Sequence, residues 1–188
     1  MSRVFTLSVA VALVAGVAFA EEIKSGLQPG ERIPAFDVVK VAGAVDDGVD
    51  VGDQLCYRCK YGARPMVMVF TRSTDKSVAE LAQQLNDLVA KNSEQQLRAF
   101  VNVIGENRDA LETSAKKFGT SNKLSNVPVV VPVEFENGPG NYGVTETAEV
   151  TVILAKGSKV IANHAFAPGK FDEAGVKSVV GSVPQLLK

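Results

Sequence analysis

The chain has 188 residues, 46% of them hydrophobic, and a formal net charge of −1 at neutral pH. That length suits one domain with a sizeable core. The near-neutral charge excludes a nucleic-acid binder that works by bulk positive charge.

Residues 1–20 read as a secretory signal. Arg3 supplies the positive start, residues 4–17 are apolar and small, and Ala18-Phe19-Ala20 offers a cleavage pattern before Glu21-Glu22. The apolar run is too short to span a bilayer. No cysteine follows the cleavage point, which argues against a lipid anchor. Residues 21–188 then form one exported domain, periplasmic or extracellular, with no membrane contact after cleavage. Export favours an oxidised state for the chain's two cysteines, Cys56 and Cys59.

Residues 33–39 read as a short entry strand, Asp46-Asp47-Gly48 as a turn, and residues 49–55 as a second short strand. A loop carrying Cys56 and Cys59 follows. Pro65-Met66-Val67-Met68-Val69-Phe70 contains a near-continuous apolar run, as in a strand buried on both faces. Ser73-Thr74-Asp75 can cap a helix. Val78, Leu81, Leu85, Leu88 and Val89 recur at helical spacing, which predicts a helix over roughly 75–92. Residues 97–104 read as a strand and 107–118 as a second helix, with Leu111, Ala115 and Phe118 inward. Residues 127–133 are extended, and their prolines predict an edge or partial strand. A Gly/Pro/Asn-rich loop spans 136–143. Residues 150–154 and 159–166 form a hairpin about Lys156-Gly157-Ser158. A last helix covers 171–187, weakened by Gly175, Gly181 and Pro184. Crossovers early and a hairpin late predict an α/β domain with a mixed central sheet covered by helices.

Four runs carry a family likeness. Pro29-Gly30-Glu31-Arg32-Ile33-Pro34-Ala35-Phe36, Gly62-Ala63-Arg64-Pro65 with the apolar run after it, Tyr142-Gly143-Val144, and the hairpin from Ala148 to Val160 occur in the order seen in the redoxin and peroxiredoxin branch of the thioredoxin-like superfamily. The chain resembles that branch over nearly all of residues 21–188. The resemblance implies a thioredoxin-like mixed sheet flanked by helices, with an N-terminal β-hairpin extension. It also implies protein thiols and disulfides as partners, and no cofactor.

Two catalytic elements of that family are missing. Its reactive cysteine follows the central strand, where helix N–H groups stabilise a thiolate; here that stretch reads Thr71-Arg72-Ser73-Thr74-Asp75. The family's cis-proline position falls near Ala148, and Pro128 and Pro132 lie too early to replace it. Asp75 is read as a cap and Arg72 as a solvated arginine or an anion contact. A peroxidase would lack its positioned nucleophile.

The dithiol Cys56-Tyr57-Arg58-Cys59 thus stands before the central strand and toward its opposite end. It reads either as a redox pair capable of thiol–disulfide exchange, with Arg58, Lys60 and Arg64 favouring thiolates, or as a structural disulfide in a non-catalytic binding or scaffold module. A four-residue ring contributes only about 2 kcal/mol of loop-closure stabilisation, against about 3 for fifteen residues. Covalent haem is excluded, because Lys60 stands where that motif needs histidine. Zinc lacks ligands, since the lone histidine is His164. A copper(I) site would have to borrow Met66 and Met68, which read better as core. His164 reads as a hydrogen-bonded residue or as a general acid or base. The favoured expectation is a redox role, a thiol-disulfide oxidoreductase acting through Cys56 and Cys59. Substrate and oligomeric state stay open.

Overall fold

The computed structural model describes residues 23–188; the signal-segment expectation for residues 1–20 lies outside them. One seven-stranded mixed sheet runs in the order β2-β1-β5-β4-β3-β6-β7. Its strands are β1 (Val38–Ala42), β2 (Gln54–Leu55), β3 (Met66–Thr71), β4 (Arg98–Val103), β5 (Val129–Pro132), β6 (Val150–Lys156) and β7 (Lys159–Phe166). The helices are α1 (Tyr57–Tyr61), α2 (Lys76–Lys91), α3 (Arg108–Ser121) and α4 (Glu173–Ser182). β3, β4 and β5 are parallel, linked through α2 and α3, while β6 runs antiparallel to β3 and turns back into β7.

Alternation along the strands supplies two apolar faces. Val67, Val69, Val101, Val129 and Val152 point to a first layer that α2, α3 and α4 cover. Met66, Met68, Phe70, Phe100, Val130 and Ile153 point to a second. Tyr57 and Tyr61 of α1, Ile33 and Phe36 of the entry segment, and Tyr142 cover that second layer. Every residue of β3 is buried, as expected for a strand packed on both sides.

Several elements differ from the sequence expectation. The entry strand starts only at Val38; before it, residues 33–36 lie outside any strand, with Ile33 and Phe36 packed on the second face. The second strand shrinks to Gln54–Leu55, because turns over residues 44–47 and 50–53 occupy most of the stretch before it. The dithiol segment is a helix rather than a loop. β5 is not an edge, since it lies between β1 and β4. Pro128 stands before the strand and offers its carbonyl to Val101 N–H (3.0 Å). Pro132 is the strand's last residue. Neither proline removes a ladder donor from the strand interior, so the usual argument for an edge does not apply. The last helix ends at Ser182 and passes into a 3-10 turn, Val183–Leu186, with Pro184 in its first positions.

Candidate functional site

The corner between β3 and α2 is closed by an arginine. Arg72 N–H donates to Glu149 O (2.9 Å). Its Nε donates to Ala148 O (3.2 Å), Nη1 to Glu136 O (2.9 Å), and Nη2 to Asn137 Oδ1 (2.6 Å). The guanidinium therefore ties the loop at 136–137 to the start of β6. This replaces both sequence readings of Arg72: it is neither a solvated side chain nor a free anion contact. Burial lowers its pKa, an effect that the nearby Glu146 and Glu106 oppose. Asp75 caps α2 as expected, its Oδ1 accepting Val78 N–H (3.0 Å).

The cysteines lie on the other side of the sheet. α2 packs in the first layer and α1 in the second. α1 departs from β2, whose Leu55 pairs with Val38, and it delivers the chain to the start of β3. The sequence placed the pair toward the far end of the central strand; the fold places it on the opposite face, on a helix that leads to that end.

Cys56 and Cys59 are disulfide-bonded. Cys56 is the N-cap of α1, with Sγ accepting Cys59 N–H (3.0 Å). Cys56 is half-buried, whereas Cys59 is exposed.

The helix has anchors that do not depend on the disulfide. Tyr57 and Tyr61, four residues apart and so on one helix face, both pack against Phe100, at ring-centroid distances of 5.8 and 6.0 Å. Tyr57 Oη donates to Asp47 Oδ2, and Asp47 Oδ1 accepts from Lys40 Nζ (2.7 Å). The Lys40 ammonium also donates to Ala44 O (2.9 Å) and Val49 O (2.7 Å), so all three of its protons find acceptors. Burial, reinforced by the bond to Asp47, pushes the Tyr57 phenol far above its ordinary pKa, so it stays a neutral donor. Arg58 Nε donates to Ile33 O (3.0 Å) and Arg64 Nη1 to Lys60 O (3.0 Å). Sequence reasoning missed the Lys40–Asp47–Tyr57 chain. Its signal was a lysine inside the apolar run Val38-Val39-Lys40-Val41-Ala42.

The remaining candidates stay apart from the pair. His164 sits on β7, its Nε2 3.0 Å from Ser182 Oγ, and its ring stacks on Phe166. Burial lowers its pKa. Met66 and Met68 are wholly buried in the second layer, as the core reading expects. Among the described residues, no helix is long and apolar enough to cross a membrane.

No family model and no curated protein sequence matches the chain. Solved structures do match its fold. A protein from Chlorobium tepidum assigned as thiol:disulfide interchange protein DsbE is 16% identical, with a TM-score of 0.63 over 86% of this chain and 99% of that one. A protein from Bacteroides thetaiotaomicron assigned as a protein disulfide isomerase is 14% identical, with a TM-score of 0.61 over 88% and 94%. Peroxidoxin BcpB from Mycobacterium tuberculosis is 12% identical, with a TM-score of 0.57 over 85% and 97%. The fold is thioredoxin-like, as the four sequence runs suggested, and the corner after its central strand holds Arg72.

Proposed function

We propose that this is an exported thioredoxin-fold protein whose Cys56–Cys59 pair exchanges with the thiols and disulfides of other proteins. One observation carries the reading. The bond ends at Cys59, an exposed residue, on a helix already anchored by Tyr57, Tyr61 and Arg58. Opening the disulfide leaves those anchors in place, so little folding energy opposes the dithiol state beyond about 2 kcal/mol of closure entropy. The similarity of the fold to proteins assigned to thiol–disulfide chemistry supports the same reading. The signal-like pattern of residues 1–20 supports export.

The test joins a reduction potential to a variant. A potential above about −300 mV is expected for an exchanging pair. Cys56→Ser with Cys59→Ser should abolish insulin reduction while the melting temperature falls only by the few degrees that about 2 kcal/mol of closure entropy implies. A potential well below that value, together with a much larger fall in melting temperature and no activity to lose, would instead make the pair a structural staple of a binding or scaffold module.

A further inference from the structure

The surroundings of Cys59 carry an unbalanced charge. Arg58 and Lys60 flank it in the chain, and Arg64 folds back onto the Lys60 carbonyl. An open cavity of about 570 Å³ lies elsewhere, against α3; the one beside the pair measures about 510 Å³ and begins at Lys60, the residue after Cys59. Its walls include Lys60, Tyr61, Arg64, Pro65 and Gln96, and no carboxylate lines it. The turn of the β6–β7 hairpin abuts the same segment, with Gly157 N–H donating to Ala63 O (3.0 Å), and Lys159 stands two residues past that glycine at the head of β7. Among the described residues, the ion pairs are Lys40–Asp47, Arg108–Glu112 and Lys177–Glu173, so Arg58, Lys60, Arg64 and Lys159 have no carboxylate at ion-pair distance. Asp47, the acid hydrogen-bonded to the neighbouring Tyr57, is already paired with Lys40 Nζ (2.7 Å), and Asp37 accepts from Gln54 Nε2.

We infer that the pair selects substrates whose reacting sulfur is flanked by negative charge, and that the cavity from Lys60 to Arg64 receives the anionic group. This rests on the exchange reading above. The step begins when a substrate thiolate attacks Sγ of Cys59, the more exposed residue of the pair. The Cys56–Cys59 bond breaks, and its electron pair leaves on Cys56 Sγ, where Cys59 N–H already donates. A mixed disulfide joins Cys59 to the substrate sulfur. A second substrate thiolate then attacks the substrate sulfur of that bond. The products are the substrate disulfide and the Cys59 thiolate, which takes a proton from water.

Reduction of the oxidised protein by 2-mercaptoethanesulfonate, 2-mercaptoethanol and cysteamine, with rates expressed per thiolate, tests the inference. At low ionic strength the anionic thiol should react about tenfold faster than the cationic one, with the neutral thiol between them. The spread should collapse near 1 M salt, where screening acts within about 3 Å. Lys60→Glu combined with Lys159→Glu should remove or reverse it. A cysteine peptide flanked by glutamates, compared with one flanked by lysines, separates the sources. A wider spread for the peptides assigns the cavity to an acidic polypeptide, and an equal spread to a small anionic thiol. Equal rates for all charges, with exchange still occurring, would overturn the inference and leave the exchange function standing. No exchange with any thiol would remove both.

Discussion

Arg72 shows how one residue changes the meaning of a site. Its position after the central strand is visible in the sequence, but its partners are not: they lie 64 to 76 residues further along. A long polar side chain beside a helix start reads as solvated until the fold supplies carbonyls around it. Arg72→Ala should cost about 2 kcal/mol, since at least two charge-assisted hydrogen bonds in a partly exposed setting are lost. Arg72→Lys should recover little, because a single ammonium does not span acceptors set out for a planar fork. Chemical denaturation of both variants measures this; a loss under about 0.5 kcal/mol for the alanine variant would show that the clamp is incidental.

Among the elements, α1 is the one the sequence hides. Five residues are too few to establish a helical period, and a dithiol run reads equally well as a loop. Tyr57 and Tyr61, spaced four apart, were the available sign, and their common target Phe100 is remote in sequence. α3 was legible from Leu111, Ala115 and Phe118, but its closeness to the sheet was not. Gly119 of α3 lies so near β1 that an added Cβ would stand 2.5 Å from Ala42 Cβ and 3.2 Å from Val129 Cγ2. Alanine favours a helix over glycine by about 1 kcal/mol, yet overpacking costs about 1–3 kcal/mol. Gly119→Ala should therefore lower the urea midpoint. A rise would mean that the helix moves away from the strand without penalty.

Across the whole molecule, the sheet separates two chemistries by face. The three longer helices cover one layer, and the dithiol helix, the entry segment and Tyr142 cover the other. His164, on the outer strand β7, couples this packing to pH. Burial lowers its pKa in the fold, while in the unfolded chain it titrates near 6.5. Between those two values the unfolded state binds more protons, so stability rises with pH through the window and falls on acidification. Above about pH 6.5 the penalty is absent. The wild type should therefore lose melting temperature relative to His164→Gln as the pH drops from about 7.5 to 5.5. A difference that stays constant over that range would show that the imidazole charges freely in the folded protein.

The order of the strands and the three longer helices, the doubly buried β3, the cap at Asp75 and the missing cysteine at the start of α2 were all readable from residues close together in the chain. Periodicity, capping and a vacant motif position are local properties. Assembly of the sheet decided the rest: β5 became an inner strand, Lys40 found Asp47 beneath Tyr57, Arg72 found its carbonyls, and the cysteine helix settled on the face opposite α2. All but the Lys40–Asp47 contact, whose partners are seven residues apart, depend on which distant segments meet, and a one-residue change in strand register would redirect the side chains to the other face.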